Sequence, residues 1–255
     1  MDLYALRLKG KQQRESEAAV KKIPEFELDF YPPFEGFPPE GITFLRRLKR
    51  NNRREWFQQH KDEYEQHVRL PMQSLISALQ LHFRSFAPEY DLNPKRSMFR
   101  IYRDVRFSRN KDPYKTHVAA HFVLRGKPKG VEGSGYYLHV EPGEIYLGGG
   151  IYMPDGDQLK RIRRQIAEQQ DEFIIIVKNR DFRRLFGTIE GDRLQRIPPG
   201  YPADHPMAEW LKLKQFFVGL SWPEKKCYSR SFVDDAARVF ERATPFVKFL
   251  NEALR

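Results

Sequence analysis

The chain has 255 residues, of which 40% are hydrophobic, and its net charge is +11 at pH 7. That length and apolar content allow a substantial core in one large domain, and the single cysteine, Cys227, excludes an intramolecular disulfide. Without a charged-then-apolar leader or a long apolar run, the sequence indicates neither secretion nor a membrane span, and we expect a cytoplasmic protein. The net positive charge favours an anionic partner such as nucleic acid or a phosphorylated metabolite.

The N-terminal part is expected to contain an extension followed by helices. Residues 1–33 have few large apolar side chains after Leu8 and are predicted to form a mobile or loosely docked extension, whereas residues 34–255 are predicted to form a single domain. Pro39 suits the first turn of a helix. Beyond it, apolar residues at intervals of three and four predict an amphipathic helix, with Met72, Leu75, Ile76, Leu79, Phe83 and Phe86 on its buried stripe.

The segment from Lys95 to Thr116 carries eight basic and two acidic residues, so it supplies +6 of the chain's +11. From Met98 to Phe107 apolar and polar side chains alternate, which predicts a strand with Arg100, Tyr102, Asp104 and Arg106 on one face. The polar, proline-containing residues that follow predict a turn that places Arg109, Lys111 and Lys115 near the rim of that face.

Further strands are predicted at residues 117–124, 136–141 and 144–152, and Pro142-Gly143 marks a hairpin between the last two. The fold class is therefore expected to be α+β, with an antiparallel four-stranded meander over about residues 98–152 packed against N-terminal and C-terminal helices. The alternation assigns one face to the core. The opposite face collects Arg100, Tyr102, Arg106, His121, Tyr137, His139, Tyr146 and Tyr152.

This polar face is the predicted site. Guanidinium groups, imidazoles and phenols on adjoining strands can hold a phosphate or carboxylate above the glycines at 148–150, which otherwise indicate a bend or a close backbone approach. His121 and His139 with Glu141 would form an open metal site only under one strand register, and no metal or cofactor is predicted. The predicted anion-binding residues are Arg100, Tyr102, Arg106, Arg109, Lys111, Lys115, His121 and His139.

The remainder of the chain is predicted to be mostly helical, ending in a helix whose apolar stripe, from Phe232 to Leu250, closes the core. Cys227 lies beside two lysines in sequence, but a single cysteine is more often inert than nucleophilic.

Four stretches of the sequence resemble a known family. They are FEGFPPEG, NNRREWFQQHK, RIYRDVRFSRNKDPYKTH and DHPMAEWLKLKQF, and together they resemble the bacterial and fungal conserved-hypothetical family known as domain of unknown function 2461. The resemblance extends from about Phe34 to the C-terminus and implies one compact domain. It implies no catalytic residues, so the choice between an enzyme and a protein without catalysis stays open.

Three functions remain as alternatives. The first is a domain that binds a small phosphorylated or carboxylated ligand on the Arg/Tyr/His face, with or without a reaction. The second is a nucleic-acid-binding protein that uses the basic loop 106–116. The third is a protein-interaction domain without catalysis. A closed pocket with converging polar groups favours the first, an open basic groove the second, and an exposed apolar patch the third.

Overall fold

An antiparallel sheet lies at the centre of the computed structural model, which describes residues 31–126 and 133–255. Within these residues the sheet has five strands in the order β1-β2-β3-β4-β5, so each strand pairs with its neighbours in sequence. The strands are β1 (Tyr90–Asp91), β2 (Val118–Leu124), β3 (Gly135–Glu141), β4 (Glu144–Ile151) and β5 (Phe216–Pro223). The α+β class is confirmed, while the expectation of four strands is wrong.

Helices precede and follow the three central strands. They are α1 (Pro39–Arg50), α2 (Arg54–Gln59), α3 (Lys61–Tyr64), α4 (Leu70–Phe86), α5 (Pro94–Ser97), α6 (Gly156–Glu168), α7 (Gln170–Lys178), α8 (Arg180–Phe186), α9 (Ala208–Leu211) and α10 (Phe232–Glu252), with a π-helical turn at Glu65–Arg69 and a 3-10 turn at Glu224–Tyr228. None of the helices in the described ranges is long and apolar enough to cross a membrane.

The predicted strands β2, β3 and β4 and the hairpin between the last two are confirmed. Gly143 takes a φ of 99° in that hairpin, a conformation that favours glycine. Because side chains alternate across a strand, each strand sends every second residue to the helices. Leu138 pairs with Leu147 and Leu147 with Leu220, and these positions face the core.

The predicted strand at 98–107 is wrong. Only Met98 bridges β2, opposite Ala120, after which the chain pairs with its own return segment through Tyr102 and Tyr114. Ile101 is buried, but Phe107 is 95% exposed, so the apolar half of the alternation does not form a core face. We call residues 98–116 the basic segment.

Asn52, in the loop between α1 and α2, and Phe57 of α2 hold the basic segment in place, and we call their contacts the Asn52 clamp. The Asn52 side chain donates to the carbonyl of Tyr114 at 3.0 Å and accepts from its backbone N–H at 3.0 Å. The ring of Tyr114 stacks on that of Phe57, with centroids 4.2 Å apart. These contacts hold the end of the basic segment at Tyr114. They keep the segment in place although only isolated bridges, and no regular strand pairing, join it to the rest of the sheet.

Strand β5 is the element that the sequence pattern missed. It pairs with β4 from Ile151 opposite Phe216 to Glu144 opposite Pro223, and it closes the sheet at the edge where a proline is tolerated. The expectation that the region after residue 152 is mostly helical is therefore only partly right.

Helix α10 covers the core face of the sheet. Gly149 permits the close approach, since a Cβ at that position would lie 2.7 Å from Cγ2 of Val247. Phe83 of α4 and Phe240 of α10 both pack on Tyr136, with ring centroids 5.0 Å and 5.6 Å away. With one face sealed in this way, the other face of the sheet is left to form a site.

Residues 31–255 cluster as one compact unit. The predicted extension at 1–33 lies almost wholly outside the described residues, as does the central part of the loop between β2 and β3, which was expected at 125–135.

Candidate functional site

A pocket of about 620 Å³ lies on the sheet face opposite α10. Alternation within β2, β3 and β4 brings His121, Tyr137 and Tyr146 to this face. We call it the sheet-face pocket; its lining includes Phe99, His121, Tyr137, His139, Tyr146, Gly148, Gly149, Gly150, Tyr152, Met153, Glu190 and Phe217. The predicted membership of His121, Tyr137, His139, Tyr146 and Tyr152 in one surface thus matches the geometry.

His139 lies between two tyrosines. Its Nδ1 is 3.2 Å from the hydroxyl of Tyr137, and its ring stacks on that of Tyr146 with centroids 5.8 Å apart. Its Nε2 lies 3.6 Å from a carboxylate oxygen of Glu141, which is too long for a hydrogen bond, and it has no hydrogen-bond partner among residues 31–126 and 133–255. Burial lowers the pKa of His139, with Glu144 opposing that effect, so the imidazole is neutral at pH 7.

Tyr146 lies across the backbone of β5. Its ring occupies the space above Gly219, where any Cβ would collide with the phenol. The hydroxyl is buried, and no group in the described chain forms a hydrogen bond with it. Burial, followed by the charge of Glu190, raises the pKa of Tyr146. The phenol therefore stays protonated and keeps an unused donor.

Glu190 was not predicted. It lies in the loop after α8, and its backbone bridges β5: Glu190 N–H donates to the carbonyl of Phe217 at 2.7 Å. This pairing places its side chain in the pocket lining, where burial raises the carboxyl pKa. A single acidic residue in an irregular loop gives no periodic signal, so only the fold reveals it. Glu190, His139 and the tyrosines together provide groups that accept or donate protons.

The glycines at 148–150 serve as both pocket floor and close strand contact. Gly148 pairs with Gly219, and a Cβ on Gly148 would collide with the carbonyl oxygen of Val218. Gly150 has a φ of 140°, outside the range that other residues favour. The sequence suggested two roles for residues 148–150, a pocket floor and a close backbone approach. The run has both.

The eight predicted anion-binding residues do not form one site. His121 and His139 line the sheet-face pocket. Lys115 lies beside it, with its ammonium 4.9 Å from the ring centre of the lining residue Phe99. The others lie elsewhere: Arg100 and Tyr102 line a smaller pocket, while Arg106, Arg109 and Lys111 are exposed.

The expectation that Arg100, Tyr102 and Arg106 share one strand face is therefore wrong, because the basic segment is not a strand. Arg106 instead binds Asp104, with Nη2 2.7 Å from the carboxylate. This ion pair holds the pKa of Asp104 down to about 2. Lys111 donates to the carbonyl of Val105 at 3.0 Å.

The strand register also separates the two histidines considered for a metal site. His121 stands opposite Tyr137, and His139 stands opposite Ala119. Within the part of the chain that the structure describes, no group of three or more histidine, cysteine or acidic residues is arranged to hold a metal ion.

These features define an α+β domain with a pocket on the face of an antiparallel sheet opposite α10. The family model described as "Conserved hypothetical protein (DUF2461)" matches residues 40–249, and the chain belongs to this family. The matched range includes every residue of the sheet-face pocket, and the resemblance noted in the sequence is confirmed. No curated protein and no solved structure matches the chain.

Proposed function

We propose that the protein binds a small, flat organic acid in the sheet-face pocket, with a ring against the aromatic side chains and a carboxylate near Lys115. The observation that carries the proposal is the pocket itself. Its volume of about 620 Å³ falls within the roughly 300 to 1,000 Å³ typical of small-molecule sites, which are mostly apolar with a few placed polar groups.

The lining favours a ring over a flexible polar ligand. Aromatic side chains form much of the wall, and the ring of Tyr152 packs against that of Phe217 with centroids 5.6 Å apart. The floor at residues 148–150 has no side chains, so a flat group can lie close to the backbone. A stacked or edge-to-face aromatic contact contributes about 0.5 to 1.5 kcal/mol beyond the area that it buries.

A cation beside the pocket favours an acid. Phe99 has the ring of His121 stacked at 6.3 Å and the ammonium of Lys115 at 4.9 Å. Burial, followed by the charge of Arg100, lowers the pKa of Lys115. A partly buried cation of this kind gains from a carboxylate partner, since charge-assisted hydrogen bonds are about twice as strong as neutral ones.

The test uses two probes of equal shape, 1-naphthoate and 1-naphthamide, with binding measured by ligand-observed NMR. Phe217→Ala and Tyr152→Ala should weaken both probes about fivefold to tenfold, the loss expected for an aromatic contact. Phe107→Ala is the matched control, because Phe107 is an exposed aromatic outside the pocket, and it should change nothing.

Lys115→Met tests the role of this cation separately. It should abolish the preference for the acid over the amide and leave amide binding intact. If neither probe binds the parent protein, or if Tyr152→Ala and Phe217→Ala bind as tightly as the parent while folded by circular dichroism, the proposed function is wrong.

A second candidate function rests on Phe107. This ring is 95% exposed, and the guanidinium of Arg106 lies 5.7 Å from its centre. An exposed aromatic among basic side chains fits a base of single-stranded nucleic acid. Fluorescence anisotropy with labelled oligothymidylate should show salt-sensitive binding that Phe107→Ala and Arg109→Ala both weaken; absence of binding at low salt would remove this candidate.

A further inference from the structure

A second cavity, of about 270 Å³, lies between the N-terminal helices and the start of the basic segment. Its wall includes part of the π-helical turn at Glu65–Arg69 and the residues around Arg100. Such π-helical turns are rare and are frequently found at functional sites. We call this cavity the cationic pocket.

Four cationic side chains line it, namely Lys61, Arg69, Lys95 and Arg100, against the one carboxylate of Glu65. That carboxylate is already bound, because Arg69 donates to its two oxygens at 2.9 Å and 3.2 Å. Arg100 forms no ion pair with any residue in the described ranges. The remaining field in the pocket is positive, which favours an anion.

The pocket lining also includes two uncharged polar side chains, Gln73 and Tyr64. Gln73 is 9% exposed, and its side-chain amide has no hydrogen-bond partner within residues 31–126 and 133–255. Tyr64 is 5% exposed and its hydroxyl likewise lacks a partner in that part of the chain. Burial raises the pKa of Tyr64 to about 12, so its hydroxyl remains a donor. Both side chains can therefore donate hydrogen bonds to an oxyanion bound in the pocket.

We infer that the cationic pocket binds a phosphate group, as inorganic phosphate or as the monoester of a small metabolite. Phosphate offers several strong acceptor oxygens, which suits the guanidinium fork of Arg100 together with ammonium, amide and phenol donors. A volume of 270 Å³ holds about nine waters at roughly 30 Å³ each. The pocket therefore has room for phosphate with a short organic group.

This inference does not depend on the proposed function. Phe99 belongs to the lining of both pockets, but the aromatic acid and the phosphate contact different residues and are measured with different probes. Either can fail while the other stands.

The test is isothermal titration calorimetry with sodium phosphate and with glycerol 3-phosphate at constant ionic strength. Both should bind the parent protein, and the tighter of the two identifies the free anion or the monoester. Arg100→Ala should weaken binding tenfold or more. Arg196→Ala removes the same charge from an exposed arginine that lines neither pocket, and it should bind as the parent does.

Gln73→Leu separates binding from stability. It replaces a pocket-lining amide with an apolar side chain of similar size, so phosphate affinity should fall while the midpoint of thermal unfolding stays nearly unchanged. No phosphate binding by the parent, equal binding by Arg100→Ala and the parent, equal losses in Arg100→Ala and Arg196→Ala, or unfolding of Gln73→Leu would each overturn the inference.

Discussion

Two buried tyrosine hydroxyls on adjacent strands give a sharp test of the site. Tyr136, on the core face, shares a hydrogen bond of 3.0 Å with Oγ1 of Thr244. Tyr146, on the pocket face, has a buried hydroxyl for which the described residues offer no partner. The same change to phenylalanine should therefore have opposite effects on the free energy of unfolding.

For Tyr136→Phe we expect a loss of about 1 kcal/mol, the usual net value of a buried hydrogen bond. Thr244 still donates to the carbonyl of Phe240 at 2.8 Å, which keeps the loss near that value. For Tyr146→Phe the variant no longer buries an unpaired hydroxyl, whose desolvation costs roughly 1 to 3 kcal/mol. We expect a gain of about 1 kcal/mol, since the site can relax.

Urea denaturation followed by tryptophan fluorescence measures both variants, and a change of 1 kcal/mol corresponds to about 2 to 4 °C in Tm for a domain of this size. The variants should differ by about 2 kcal/mol in total. Equal destabilisation by the two changes would refute the reasoning, because it would mean that the Tyr146 hydroxyl is already satisfied in the ligand-free protein.

Three further outcomes are expected. Gly148→Ala should be strongly destabilising in chemical denaturation because its Cβ meets backbone, whereas Gly156→Ala, with no atom within 4 Å of the added Cβ, should be neutral or stabilising; comparable losses would contradict the close strand approach. Because burial lowers the folded-state pKa of His139, the unfolded chain takes up that proton first as pH falls below about 6.5, so stability is lost over this window. Replacing His139 with Gln should flatten the dependence of unfolding free energy on pH there, and an unchanged slope would count against a neutral buried imidazole. Cys227 is fully buried and its pKa is raised to about 12, so iodoacetamide at mildly alkaline pH should alkylate it only in denaturant, as read by intact mass; rapid labelling of the native protein would disprove that burial.

The sequence predicted the central strands because their signal is local. Alternation at every second residue survives in β2, β3 and β4, and it correctly separated the core face from the face that carries His121 and Tyr137. The long C-terminal helix was equally easy to predict, since its apolar stripe repeats at helical spacing. Neither inference needs knowledge of what lies across the sheet.

The features that the sequence did not predict have a different cause. The alternation from Met98 to Phe107 is typical of a strand, but this stretch pairs with the residues around Tyr114 instead of with the sheet. Asn52, 62 residues away in sequence, holds Tyr114 in place. Strand β5 lies along β4 after an intervening helical region, and Glu190 reaches the pocket only through its bridge to that strand. Of the basic segment, residues 98–102 line the cationic pocket, and Phe99 also lines the sheet-face pocket. Each of these facts depends on long-range pairing, which local periodicity does not report.

The Asn52 clamp has a consequence for which substitutions the family can accept. The residue is only partly buried, and partly buried positions normally tolerate many side chains. Here, however, one amide makes a donor contact and an acceptor contact with the same backbone residue. Among side chains of this length, aspartate could only accept and leucine could do neither. Position 52 should therefore vary as little as a core position, even though solvent reaches it.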